Sequence, residues 1–272
     1  MTIRRHADSW RIRMQEILRL KNVSLTYQAE NCEVSALENV SFSADEGELI
    51  AVVGPSGCGK STLLSLIAGL SAPTEGAVII AGEETRGVSS HIGYMLQKDN
   101  LLDWRTIRSN VLLGLEIRKM LTPDNIEYVD CLLKTYGLGE FQDKYPSQLS
   151  GGMRQRAALI RTLAAKPELL LLDEAFSALD YQTRLAVTDD VFRILKSEKK
   201  TAVIVTHDIP EGISMADRIV VMTARPGRVR AVHDVVFRRP DGSIMPPLGR
   251  RNDPGFGRLF NLIWKELDML EV

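Results

Sequence analysis

Residues 54–61 read Gly54-Pro55-Ser56-Gly57-Cys58-Gly59-Lys60-Ser61, with Thr62 continuing them. An apolar run, Leu49 to Val53, leads in. Thr62-Leu63-Leu64-Ser65-Leu66-Ile67 leads out with helical spacing. The pattern G-x-x-x-x-G-K-[ST] between a strand and a helix makes a phosphate-binding loop. Its glycines let the backbone curl so that successive N–H groups face phosphate oxygens. The helix that follows adds unpaired N–H groups and a positive dipole end. In such a loop Lys60 reaches the β- and γ-phosphates and the Ser61 hydroxyl ligates Mg2+. A ligand-free glycine turn would not need this spacing, so the loop is expected to bind a nucleoside triphosphate.

The chain has 272 residues, 44% of them hydrophobic and 25% charged, which gives a globular protein ample core. Its net charge of -1 supplies no global basic field, so nucleic acid is not an expected partner. No apolar run approaches the ~20 residues a membrane-crossing helix needs, and any link to a membrane is expected through a partner. Residues 1–16 carry Arg4, Arg5, Arg11 and Arg13 without the apolar block of a secretory signal, and read as a loosely held tail. Cys32, Cys58 and Cys131 are odd in number and far apart, which fits a reducing cytosol better than a disulfide frame or a zinc site. Cys58, inside the loop, is either an oxidisable thiol of low pKa or an inert filler.

Short alternating runs from Ile17 to about Ala51 suggest antiparallel strands: Leu18-Arg19-Leu20, Val23 to Tyr27 and Val40 to Ser43. Glu46-Gly47-Glu48 and Pro73 to Gly76 mark turns, and Ala77 to Ile80 is followed by an expected return strand at Ile92 to Met95. From about 98 to 147 the spacing turns helical, as in Val111, Leu112, Leu115 and Val129, Leu132, Leu133, suggesting an inserted helical subdomain. A second α/β stretch follows. Helices are expected at Met153–Ala165, Tyr181–Lys196 and Pro210–Ala216, and strands at Leu169–Leu172, Ala202–Val205 and Ile219–Met222. Strands alternating with helices imply a largely parallel, three-layer α/β core.

Leu169 to Leu172 end in Asp173-Glu174. Beside a phosphate loop, Asp173 is placed to hold Mg2+ opposite Ser61, and Glu174 to polarise an attacking water as general base. Leu149-Ser150-Gly151-Gly152-Met153-Arg154-Gln155-Arg156 opens a helix with an N-cap serine and two glycines. That end is a second anion site. One nucleotide does not need two phosphate-binding helix ends in one chain, so Ser150 and Gly152 are expected to serve a nucleotide held mainly by another copy or a partner subunit.

The phosphate loop, Leu149 to Arg156, Leu169 to Glu174, Ser177-Ala178-Leu179-Asp180 and Thr206-His207-Asp208, in this order and spacing, resemble the ATP-binding subunit of ABC transporters. The resemblance runs from about Ile17 to Thr223. It implies an α/β fold: a three-layer P-loop NTPase (RecA-like) core with an antiparallel β-subdomain and an inserted α-helical subdomain. It also implies a head-to-tail homodimer that holds ATP and Mg2+ between one subunit's phosphate loop and the other's Ser150, Gly151 and Gly152. By position, Gln97 matches the glutamine that senses Mg2+ and the attacking water. Asp180 matches the aspartate that reaches across the dimer, His207 the histidine at the γ-phosphate, and Tyr27 the aromatic that stacks on adenine. Residues 17–235 would form the ATP-binding domain, and 236–272 an extension.

The segment Gln97 to Thr106, continuing through Val111-Leu112-Leu113-Gly114-Leu115-Glu116, resembles the importer branch for nitrate, sulfonate, taurine and bicarbonate, with Asp103 where that branch usually has proline. Related members carry thiamine precursors or riboflavin. The implied partners are two copies of a membrane permease and a separate substrate-binding protein, with the chain on the cytoplasmic face of the cell membrane. A soluble ABC-type ATPase not coupled to transport is the competing reading. Trp104 and Leu102 offer either an anchor for a permease helix or packing inside the helical subdomain. The arginine-rich end spaces Phe256, Phe260, Ile263, Leu267 and Leu270 along one helix face, which packs on the chain's own core or serves a regulatory or lipid surface.

Overall fold

A computed structural model describes residues 15–29 and 32–268. The tail expected over 1–16 lies almost wholly outside them, as does Leu270. The chain opens with two long strands, β1 (Glu16–Ala29) and β2 (Cys32–Asp45), which pair antiparallel. Register shifts interrupt their pairing between Glu16 and Leu18 and at three points between Leu20 and Thr26. A turn with Gly47 at φ 74° leads into β3 (Leu49–Val53), buried along its whole length, and α1 (Lys60–Ile67) starts at the loop lysine. Then come β4 (Glu75–Ile80), β5 (Glu83–Glu84), β6 (Ile92–Met95), α2 (Ile107–Ile117) and α3 (Pro123–Thr135). The second half holds α4 (Gly151–Ala164), β7 (Leu169–Asp173), α5 (Tyr181–Ser197), β8 (Thr201–Thr206) and α6 (Ile209–Met215). It closes with β9 (Arg218–Met222), β10 (Val229–Asp234), α7 (Pro247–Arg251) and α8 (Pro254–Asp268). Thr106, Thr122, Ser150, Asp180 and Asp208 each cap the helix they precede by accepting a backbone N–H bond from within its first turn.

Two sheets result. One is antiparallel, in the order β2-β1-β4-β5. The other runs β10-β9-β3-β8-β7-β6, parallel except for β10. The return strand expected after β4 is corrected here: β5 makes that return, and β6 pairs in parallel with β7 at the edge of the second sheet. Four apolar residues carry too little alternation to say which sheet receives them. Tertiary packing decides, because Gly93 lets α4 come close: a Cβ there would stand 2.6 Å from Thr162 Cγ2.

Alternation along β3 divides the core. Ile50 and Val52 face α1 and the antiparallel sheet, whereas Ala51 and Val53 face α6 and α8. Leu170, Leu172, Ala202 and Ile204 of β7 and β8 face the helices α2 to α5. Residues 236–268 complete one of these faces, with Ile263 of α8 fully buried. Arg250 of α7, also fully buried, donates to Met245 O at 2.9 Å and to Ala216 O at 2.6 Å, and lies over the Phe192 ring. The helix face marked by Phe256, Phe260, Ile263 and Leu267 therefore packs on the chain's own core. Among the described residues no helix is long and apolar enough to cross a membrane.

Candidate active site

In the phosphate loop, Gly57 (φ 76°) and Gly59 (φ 97°) take backbone conformations that other residues rarely adopt. Gly54 has no room for a side chain, since a Cβ would sit 2.7 Å from Cys58 Sγ. Lys60 is almost fully buried, and its ammonium donates to the carbonyls of Gly54 (2.8 Å) and Pro55 (2.9 Å). Cys58 is buried in the core behind the loop, and that burial pushes its thiol up against the opposing charge of Lys60. It is therefore a filler and not a low-pKa thiol.

The loop forms the floor of a cleft of about 650 Å³ that Tyr27, Ser61, Thr62, Glu174 and His207 also line. Tyr27, 43% exposed, reaches Thr62 Oγ1 with its hydroxyl at 3.4 Å. Asp173 accepts a bond from the Tyr94 hydroxyl at 3.3 Å. Burial raises its carboxyl above the usual range, and the hydroxyls of Tyr94 and Ser61 and the charge of Lys60 act against that rise. Gln97 Nε2 donates to Glu174 Oε2 (3.3 Å) and Ser177 Oγ (3.1 Å), and His207 Nδ1 is 3.1 Å from Glu174 Oε1. Glu174 sits at φ 44°, a left-handed conformation that costs a non-glycine residue on the order of 1 kcal/mol.

The remaining site residues lie elsewhere. Ser150, Gly151 and Asp180 line a separate cleft of about 530 Å³ with Lys98, Arg154 and Thr183. The Ser150 and Asp180 side chains there accept bonds from the backbone N–H groups of Met153 (3.3 Å) and Thr183 (3.0 Å). Gly152 is buried against Val187, which leaves no space for a side chain. Within one chain, neither Ser150 nor Asp180 lines the cleft of the phosphate loop. Trp104 is 74% exposed, so the alternative in which it packs the helical subdomain is set aside.

Three contacts of the site gave no sequence signal, although Ser177 itself opens one of the motifs. Tyr94 reaches Asp173 through the pairing of β6 with β7, and Ser177, in the turn after β7, accepts a bond from Gln97; a linear pattern reveals neither contact. Arg225 lines the phosphate-loop cleft from a turn that reads in the sequence as one more arginine of a basic tail.

A glycine-cradled loop and a strand-end carboxylate pair, set on a largely parallel sheet with an antiparallel sheet and a helical arm, define a P-loop ATPase of the cassette type. The ABC transporter family model matches residues 37–177. The chain belongs to this family as its ATP-binding and ATP-hydrolysing component, an ATPase coupled to transport. It is 48% identical over 254 residues to the uncharacterized ABC transporter ATP-binding protein YtlC of Bacillus subtilis (93% of this chain, 96% of that one). It is 41% identical over 213 residues to the taurine import ATP-binding protein TauB of Ruegeria pomeroyi (78% and 80%). Among solved structures, the dimeric post-hydrolysis state of the ATP-binding cassette MJ0796 bound to ADP and Pi matches with a TM-score of 0.68 and 33% identity, over 81% of this chain and 100% of that one.

Proposed function

We propose that the chain powers import of a small solute from the cytoplasmic face of the cell membrane, as one half of an ATP-clamped homodimer bound to two copies of a permease. The observation that carries this reading is that Glu174 and His207 line the cleft of the phosphate loop, with His207 and Gln97 both in contact with Glu174. Residues 17–235 act as the ATP-binding domain, the helices within about 98–147 as its arm, and 236–272 as an extension.

In this reading Lys60 leaves the carbonyls of its own loop for the β- and γ-phosphates, and the N–H groups from Ser56 to Thr62 cradle them. Tyr27 stacks on adenine. The oxygens of Ser61, Asp173 and Gln97 suit Mg2+, and a dication would offset the cost of burying the Asp173 carboxylate. Mg2+, when bound, neutralises charge that develops on the phosphates. Glu174 takes a proton from the attacking water as its oxygen bonds to the γ-phosphorus and the bond to the bridging oxygen breaks, releasing ADP and phosphate. His207 holds Glu174 and the γ-phosphate in register, and Gln97 positions the water. Ser150, Gly151, Gly152 and Asp180 serve the nucleotide of the facing protomer. The dimeric state of the MJ0796 structure supports this arrangement.

Exposed Trp104, with Leu102, docks on the permease. A separate binding protein delivers the solute, an oxyanion or sulfonate such as nitrate, taurine or bicarbonate. The TauB relatives support that class. The test is reconstitution in vesicles with the permease and binding protein encoded beside this chain. ATP-driven uptake of taurine, another sulfonate, nitrate or bicarbonate is expected. Uptake of a thiamine precursor or riboflavin instead would move the substrate class, and hydrolysis with no uptake of any solute would overturn the import reading.

A further inference from the structure

One cation in the phosphate-loop cleft belongs to none of the motifs. Arg225 lines the same cleft as Tyr27, Lys60 and His207, and it is exposed. Among the described residues it forms no ion pair, whereas Arg228 on the same turn is paired with Glu38 at 2.6 Å. A guanidinium left unpaired beside a polyanion site has an obvious counter-charge in the ligand.

The turn that presents Arg225 is clamped on both sides. Thr223 Oγ1 donates to Ala224 O (3.0 Å) and Pro226 O (3.1 Å) and accepts from Arg228 N (2.9 Å). Gly227 N donates to Ala36 O at 2.9 Å, and Gly227 O accepts from Glu38 N at 3.0 Å. Gly227 also lies so close to the phosphate loop that a Cβ on it would overlap the Cys58 carbonyl oxygen. The backbone two residues from Arg225 is thus fixed to β2 and to the loop, and only the arginine side chain is left to adjust.

Sheet order says which end of the nucleotide it meets. β9, which feeds this turn, flanks β3 on the side away from β8 and β7. His207 and Asp173-Glu174, the γ-phosphate end in the proposed function, follow or end β8 and β7. Tyr27 and Ala36 come from β1 and β2, on the side to which Gly227 is bonded. We infer that Arg225 is a further nucleotide-binding residue, its guanidinium answering the negative charge at the α-phosphate end and tightening ground-state binding without entering the hydrolytic step. The inference rests on the nucleotide reading above.

The test is calorimetric titration of ADP and Mg2+ into the full chain and into Arg225→Ala at low and high salt, with steady-state kinetics on both. The variant is expected to bind ADP about 5–20-fold more weakly and to raise KM for ATP by a similar factor, with kcat unchanged within about twofold. The difference should shrink at high salt, because an exposed charge is screened. Equal ADP affinity of the two proteins, a gap indifferent to salt, or a fall in kcat at unchanged KM would overturn the inference. A wild-type chain that binds no ADP would instead overturn the nucleotide reading itself, a result distinct from equal binding by both proteins.

Discussion

Glu174 Oε1 lies 3.1 Å from His207 Nδ1, and these two residues reach each other from adjacent strands of one parallel sheet. Glu174 follows β7 directly, His207 follows β8, Gln97 stands two residues beyond β6, and the phosphate loop follows β3. Because β3, β8, β7 and β6 are consecutive neighbours and run the same way, all four of their carboxyl ends open on one edge. The site follows from strand order, and each group contributes through the position of its strand.

Glu174→Gln removes the proton acceptor and keeps the shape. The variant should bind ATP, accumulate as a nucleotide-bound dimer and lose about 100-fold or more in kcat. Phosphate release and size-exclusion chromatography with ATP measure both effects. Near-normal turnover would refute the general-base role.

Lys60→Ala should lower ATP affinity about 10–100-fold through loss of a charge-assisted contact to phosphate. It also leaves the carbonyls of Gly54 and Pro55 without the ammonium that now holds them. Equilibrium binding of ATP is the measurement, and unchanged affinity would speak against the loop assignment.

If each catalytic centre draws on two protomers, two inactive variants should rescue one another. Mixing Lys60→Ala with Ser150→Arg makes some dimers in which both lesions fall in one site and the other site is intact. Activity should recover to on the order of a quarter of wild type, given statistical pairing. No recovery on mixing, with heterodimers verified, would mean that each centre is built within a single protomer.

Glu211 of α6 is buried, and burial raises its carboxyl to about 7, with the Asp208 charge adding to the rise and the Thr206 hydroxyl, Arg184 and Arg251 opposing it. The unfolded chain releases that proton near 4.5. Its stabilising contribution is therefore complete below about 4.5 and is lost as pH rises through about 7. Glu211→Gln, neutral throughout, should gain on wild type by ~3 kcal/mol across that window. Denaturant midpoints measured against pH test this, and parallel profiles would refute it.

Arg250→Met should destabilise by ~2–4 kcal/mol, because the carbonyls of Ala216, Met245 and Ile213 lose a buried donor. Chemical denaturation at constant pH measures it, and a loss under about 0.5 kcal/mol would show that water replaces the guanidinium.

Much of this was legible because phosphate chemistry demands glycines, lysine and hydroxyl at fixed spacing, and because long periodic segments declare helices. Leu49 to Val53 and Leu169 to Leu172 are apolar on both faces, as buried parallel strands must be. The misassigned partner of Ile92 to Met95 shows the limit, since pairing direction is written in no single strand. β10 is hidden because its alternating Val229, Ala231 and His233 sit among arginines, whose charge gives the segment the composition of a tail. Arg250 and Arg225 look alike in the sequence, yet one is buried over the Phe192 ring and the other opens on a ligand cleft. Only the packing around them separates the two.

α6 begins two residues beyond His207 and is covered by α7 and α8. Trimming the polypeptide before Pro247 would strip the outer layer from α6, which itself covers the sheet that carries the catalytic groups, and would uncover Ile213. Shortened versions made for crystallisation or fusion should accordingly aggregate, and the chain should melt in one cooperative step with its last helix included.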